Sequence, residues 1–237
     1  MTRYNFTYDA SAFLPDPGSN VNKLMEEGRI GRESLAGRDK LTALGGDKAE
    51  VFVIEDFLSP EECARIVGVI DRRIGPSELF KGTEIDGFRT SSTHFFDPSD
   101  PQTVALEHQI TGLLGLDHAK AEMMQGQRYM AGQQFKHHYD YFTVTEPYWQ
   151  QERRRGGQRT WTAMVYLNEP EAGGATDFSA LGIAVPPKTG SVLVWNNMDK
   201  SGRPNPNTMH AGTPVKAGSK YVITQWFRQD PWTLNLQ

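Results

Sequence analysis

From residue 121 to the C-terminus, short apolar stretches alternate with clusters of Gly, Pro, Asn and Asp, and this rhythm limits the possible folds more than any other feature. The stretches read "RYMAGQQF", "HHYDYF", "RTWTAMVYLN", "IAVPP", "SVLVWNN", "TPV" and "KYVITQWFR". Evenly spaced short strands with turn signals between them predict an antiparallel barrel or jelly roll. No internal repeat and no low-complexity tract breaks the series. The segment "TVTEPYWQQERRRGGQ" between two of the strands reads as a long polar loop, and loops of that length are often functional.

Ahead of these strands the chain is mixed. Residues 1–48 read as an N-terminal extension, partly irregular, in which "FLPDPGSN" is a loop and "VNKLMEEGRIGRESL" forms one short helix. The domain itself is expected to run over 49–237, with the jelly-roll core at about 121–230. It opens on a buried strand in "AEVFVIEDFL". A helix follows in "SPEECARIVGVIDRR": Ser59 is its N-cap, Pro60 takes the first helical position, and Glu62 completes a capping box. Cys63, Ile66, Val67 and Ile70 fall on one apolar stripe, which makes the single cysteine core filler. A second helix is expected from Pro101, with Leu106, Ile110 and Leu113 inward and His108 on the opposite, solvated face.

Composition excludes several classes. A net charge of −4 offers no global basic field for nucleic acid or an anionic membrane. One cysteine allows neither an internal disulfide nor an all-cysteine metal site. No apolar run approaches the roughly 20 residues that span a bilayer, and "MTRYNFTYDA" lacks the apolar region of a secretory signal. These features predict a soluble, cytoplasmic protein.

Chemistry concentrates in "FKHHYDYF". Side chains on a strand alternate faces, so His138 and Asp140 share one while His137 faces away. A lone His-x-Asp is weak, and a polar surface strand explains it equally well. His210, in "NPNTMHAGTPV", lies on a later strand that a barrel can bring back beside the pair. Two histidines and one carboxylate on one face leave three coordination positions open, the arrangement of non-haem Fe(II) oxygenases. Zinc accepts the same ligands. Lys220 stands ten residues after His210, at the start of "KYVITQWF". From there it reaches past a metal toward the distal carboxylate of a co-substrate, or it is an ordinary solvated strand-end lysine, as Lys216 is expected to be.

The chain resembles the prolyl 4-hydroxylase branch of the 2-oxoglutarate/Fe(II)-dependent dioxygenases. Seven pieces match in order over residues 51–228: "DFLSPEEC", "FRTSS", "QGQRYMAGQQFKHHYDYF", "GGQRTWTAMVYLNEPEAGGAT", "VPPKTGSVLVWNN", "MHAGTPVKAGSKY" and "ITQWFR". Residues 1–48 lie outside the resemblance. It implies an α+β, mainly β fold with a double-stranded β-helix (jelly-roll, cupin-like) core and supporting N-terminal helices. It implies His138, Asp140 and His210 as catalytic iron ligands, and Lys220 as the partner of the far carboxylate of 2-oxoglutarate. Tyr129 and Thr176 match positions that bind or line the co-substrate. Trp195 and Arg89 fall near the substrate, although core packing for Trp195 and a structural salt bridge for Arg89 are equally good accounts. Ala175 departs from the acidic residue usual in the family's Gly-Gly-Glu-Thr run, and His137 stands where proline is common.

The resemblance implies an enzyme using Fe(II), 2-oxoglutarate and O2, with ascorbate in support, that hydroxylates a prolyl residue of a peptide or protein and releases succinate and CO2. A carboxylate at position 140 argues against halogenating relatives. The alternatives are a hydroxylase of a free amino acid or other small molecule, and a non-catalytic metal-binding jelly roll. A zinc hydrolase lacks a general base in any recognisable motif. Partners are then a peptide or protein substrate, with no nucleic acid and no membrane; oligomeric state is open, a homodimer among the options. The run Arg153, Arg154, Arg155 is either a solvated face or a reader of acidic substrate residues.

Overall fold

The computed structural model describes residues 20–78 and 87–233. The "FLPDPGSN" loop lies outside them except for Asn20, which caps the first helix. In chain order the elements begin with α1 (Val21–Leu35), β1 (Leu41–Ala43), β2 (Val51–Ile54), α2 (Pro60–Arg72), β3 (Gly75–Pro76) and β4 (Ser92–Phe95). Then come α3 (Pro101–Leu114), β5 (Gln125–Met130), β6 (Phe135–His138), α4 (Trp149–Arg154), β7 (Arg159–Tyr166), β8 (Ala172–Gly173) and β9 (Thr176–Phe178). The chain ends with β10 (Ile183–Val185), β11 (Val192–Asn196), β12 (His210–Gly212), β13 (Val215–Ala217) and β14 (Ser219–Arg228).

An eight-stranded antiparallel sheet runs β1-β2-β11-β7-β14-β5-β4-β3, and a four-stranded sheet runs β10-β9-β12-β6. A two-stranded ribbon joins β13 to β8. This is the mainly β jelly-roll core expected from the strand rhythm.

The large sheet is buried on both faces, so its central strand β7 has no exposed residue at all. Period-two alternation sorts its side chains. Trp161, Ala163 and Val165 of β7, with Tyr221, Ile223 and Phe227 of β14, turn toward the helices and form one core with Cys63, Ile66, Ile70, Ile110 and Leu113. Met164, Tyr166, Leu193, Trp195 and Val222 turn the other way and pack with Tyr129 and Phe178. Thr162, Lys220, Thr224 and Trp226 share that inner parity, which carries the polar groups of the site.

The helices form where the sequence signals place them. Ser59 accepts from Glu62 N while the Glu62 carboxylate accepts from Ser59 N, the reciprocal capping box. Asp100 caps α3, and Gly115 ends it in the left-handed conformation that glycine tolerates best. His108 is exposed on α3, as its position opposite the stripe requires.

The N-terminal helix is no satellite. Leu35 belongs to the main core, and Leu24 is 1% exposed. Gly31 lets α1 approach β7 closely, since a Cβ there would lie 2.5 Å from the Trp161 ring. Trp161 Nε1 donates to Glu27 O at 3.0 Å. Apolar contact with β7 and α3 therefore extends the packed core back to α1, and β1 adds an edge strand to the large sheet.

The loop expected over 143–158 contains α4, which the polar sequence conceals. Trp149 is buried and Glu152 forms a buried ion pair with Arg228, so two side chains pull this turn of helix onto the core. Arg155 is tied back to Glu152 at 3.3 Å, whereas Arg153 and Arg154 are exposed. Among the described residues no helix is long and apolar enough to cross a membrane.

Candidate metal centre and co-substrate pocket

Strand register builds the site. In the small sheet His210 of β12 stands directly opposite His138 of β6. Direct cross-strand neighbours on one face are the closest pairs a sheet offers, and the two rings sit 4.3 Å apart. The strand expected through "HHYDYF" stops at His138, and Asp140 lies in the bend that follows. The pair picked by parity still converges, because the bend swings Asp140 back toward the histidines. Its carboxylate lies 3.7 Å from His138 Nε2 and 3.9 Å from His210 Nε2. One donor atom from each residue falls within 4.8 Å of the others, the only such group of three or more His, Cys, Asp or Glu among the described residues.

The donor set fits a divalent metal. His138 Nδ1 faces Lys136 O at 2.8 Å and His210 Nδ1 faces Thr208 O at 3.0 Å. A carbonyl only accepts, so each Nδ1 carries the proton and each Nε2 presents its lone pair to the site. Burial, with His210 beside it, pulls His138 down to about 3, so this imidazole is neutral and available as a ligand at neutral pH. Burial opposes ionisation of Asp140, but His210, His138, the Arg159 cation and a hydrogen bond from Thr162 outweigh it and hold the carboxyl below its usual range. The result is two imidazole Nε2 atoms and one anionic oxygen converging from one side.

A further layer fixes that geometry. Thr162 Oγ1 donates to Asp140 Oδ2 at 2.8 Å, and Asn197 Nδ2 donates to Thr162 Oγ1 at 2.9 Å. Gln158 clamps the chain just beyond Asp140, accepting from Phe142 N and donating to Phe142 O at 2.8 and 2.6 Å. Sequence reading missed Thr162 and Asn197, yet Thr162 lies on the inner parity of "RTWTAMVYLN" and alternation alone flags it. Thr162→Val keeps the shape and removes the donor; Co(II) affinity, read by titration of its visible bands, is expected to fall about 10–100-fold, with Thr162→Ser restoring most of it.

His137 points out of the site. Its Nε2 lies 2.9 Å from Asp177 Oδ2 at the surface.

Lys220 is no solvated strand-end lysine. It pairs with Tyr129 across β14 and β5, is 3% exposed, and holds its Nζ over the rings of Tyr129 and Tyr166 at 5.6 and 5.3 Å. Burial pulls it down to about 7. Thr176 Oγ1 accepts from Tyr166 Oη at 2.7 Å on the same wall. One cavity is lined by His138, Asp140, His210, Lys220, Tyr129, Thr176, Arg89 and Trp195, so every residue singled out for the site reaches it. Trp195 is 1% exposed and packs edge-on to His210 at 4.7 Å, and it lines the cavity as well as filling the core. Gln127, Thr224 and Trp226 complete the wall beyond the sequence-derived set.

The chain is similar to known proteins in both sequence and fold. The sequence pattern described as "2OG-Fe(II) oxygenase superfamily" matches residues 124–228, which contain all three candidate metal ligands and Lys220. Prolyl 4-hydroxylase 1 of Arabidopsis thaliana is 31% identical over 240 residues, covering 90% of this chain and 82% of the relative. Human prolyl 4-hydroxylase subunit alpha-3 is 32% identical over 184 residues; the match takes in 76% of this chain but spans only 34% of that subunit. Among solved structures, the 2OG complex of the viral collagen prolyl hydroxylase from Paramecium Bursaria Chlorella virus-1 superposes with a TM-score of 0.59 at 29% identity, covering 79% of this chain and 99% of the other. A Pseudomonas putida prolyl-4-hydroxylase, 18% identical, shares the fold with a TM-score of 0.55.

Proposed function

The chain belongs to the prolyl 4-hydroxylase family of 2OG-Fe(II) oxygenases, and we propose that it hydroxylates a prolyl residue in a peptide or protein while converting 2-oxoglutarate to succinate and CO2. The observation that carries this reading is the union, in one cavity, of the His138–Asp140–His210 donor set with a buried lysine. A zinc hydrolase has use for the first and none for the second.

Each residue has a task that follows from its chemistry. His138 Nε2, His210 Nε2 and an Asp140 oxygen are the donors that would hold Fe(II). Bound there with 2-oxoglutarate, the iron supplies the activation of O2 that hydroxylation requires. Lys220 holds the far carboxylate of 2-oxoglutarate, and Tyr129 and Thr176 line the wall beside it, so the co-substrate is oriented before reaction. Phe135, stacked on His138 at 3.6 Å, and Trp195, against His210, keep water away from the ligand rings. Thr162 and Asn197 hold Asp140 in place from behind.

The reading is tested by adding Fe(II) and 2-oxoglutarate to the apo-protein without oxygen. A visible charge-transfer band is expected, and its absence at saturation refutes the cofactor assignment. Succinate release with proline-containing peptides, and not with their alanine counterparts, then tests the substrate.

A further inference from the structure

Arg89 occupies a position that the roles above do not explain. Its side chain lines the metal cavity and also a much larger groove, of about 660 Å3, that opens beside it. The guanidinium packs over Phe135 at 5.0 Å, and Phe135 in turn stacks on the metal-ligand ring of His138. One aromatic ring thus separates the cation from the metal centre.

The hydrogen bonds of Arg89 all go to neutral groups: Ser91 Oγ at 3.2 Å, Thr93 Oγ1 at 3.2 Å, the backbone carbonyl of Glu78 at 3.5 Å and the Tyr129 hydroxyl. Among the described residues no carboxylate forms an ion pair with it, so the structural salt bridge considered from sequence is absent there. Asp140 is felt through space, but its charge is committed to the metal. Of the other carboxylates of the groove, Asp97 accepts from Ser99 N and Oγ and Asp100 caps α3 through Gln102 and Thr103, while the exposed Glu78 meets Arg89 through its backbone carbonyl. Arg73 adds a second cation to the groove, and Phe95, 59% exposed, adds an apolar surface. A half-buried guanidinium that faces both cavities, its fork held by no carboxylate among the described residues, is the usual receptor for one.

We propose that Arg89 receives a carboxylate of the substrate, so that the site selects prolyl residues that carry an acidic group next to them. Two sources share this chemistry: an Asp or Glu side chain flanking the proline, and the carboxylate of a chain end or of free proline. The proposal rests on the prolyl hydroxylase reading and adds its substrate class. Flanking residues run from the metal cavity past Arg89 into the groove, along Phe95 and Phe96.

The test uses the full chain loaded with Mn(II) and 2-oxoglutarate without oxygen, so that binding is read apart from turnover. Calorimetry compares Pro-Glu, Pro-Gln and Pro-Lys peptides with blocked ends, a peptide ending in proline as acid or amide, and free proline against prolinamide. A carboxylate in at least one source is expected to bind on the order of tenfold tighter than its amide. Arg89→Gln should erase that gap, Arg89→Glu should reverse it toward the lysine peptide, and Arg89→Lys, which keeps the charge but not the fork, should fall between. Circular dichroism and thermal melting report that each variant is folded. An equal gap in wild type and Arg89→Gln, no gap in wild type, or binding of none of the probes overturns the proposal. If the gap is present and lost as expected, yet the Fe(II) enzyme oxidises none of the probes, the Arg89 receptor stands and the prolyl hydroxylase reading falls.

Discussion

Asp140→Ala is expected to yield a folded protein that no longer retains its metal. Asp140 is the only carboxylate among the three candidate ligands, and without it two imidazoles, with no negative charge to offer, face a divalent cation. Loss of a partner that merely orients a ligand costs about 10–100-fold in metal affinity, so loss of the charged ligand itself should exceed about 100-fold. The fold should survive, because the neighbouring cation keeps its own partner: Arg159 remains bidentate to Glu122 at 2.5 and 2.8 Å. Equilibrium dialysis against Fe(II) without oxygen, with circular dichroism as the check on folding, measures both. His137→Ala is the matched control, since it removes a neighbouring imidazole that bonds Asp177 and not the metal set. Metal retention by Asp140→Ala together with its loss in His137→Ala would reverse the assignment of faces. The carboxylate also predicts a direction with pH. Asp140 is held below its ordinary value, so its contribution as an anionic ligand persists down past the usual carboxylate range and is lost as pH falls through the lowered value.

How much of this was legible in the sequence depends on whether a feature is local. Period-two alternation picked His138 over His137 even though β6 ends at His138, short of the carboxylate. The capping box of α2 and the apolar stripes of α2 and α3 are likewise local and were readable. His210 is different: only strand order places β12 beside β6, and the seven-part family pattern, not spacing, supplied that contact. Thr162 was flagged only by its inner parity on β7, and Asn197, just past β11, by nothing local, because neither residue type announces a role until its hydrogen-bond partner is known. The α4 turn was hidden because its hold on the fold lies in one tryptophan and one Glu152–Arg228 pair across 76 residues. The core role of α1 was missed because its polar face dominates the composition, while Leu24, Gly31 and Leu35 make the contact.

Lys220→Met is expected to make the apo-protein more stable and to weaken its hold on 2-oxoglutarate by orders of magnitude. Lys220 is 3% exposed, and burial alone moves it from 10.5 to about 7. A tenfold change in proton affinity is worth about 1.4 kcal/mol, so carrying the proton inside the fold costs on the order of 3–5 kcal/mol at neutral pH and below. Methionine fills similar space without that charge. The sign with pH follows from proton counts. Between about 7 and 10.5 the unfolded chain keeps the lysine proton that the folded apo-protein has released, so wild-type stability rises with pH across this window. The Lys220→Met protein lacks that rise, and below pH 7 it should unfold several degrees higher than wild type. Co-substrate reverses the balance. The carboxylate of 2-oxoglutarate pairs only with the protonated lysine, so its affinity should weaken as pH climbs above 7, by up to about tenfold for each further pH step of one. Truncating a buried charge partner typically costs about 2–5 kcal/mol in binding, which puts the loss in Lys220→Met at about 30-fold to several thousand-fold. Thermal melts from pH 6 to 10, with and without 2-oxoglutarate, read both effects in one series. A variant that is less stable than wild type without ligand, or that binds 2-oxoglutarate as tightly, would remove Lys220 from the site; higher stability with lost binding is what a lysine buried for its ligand requires.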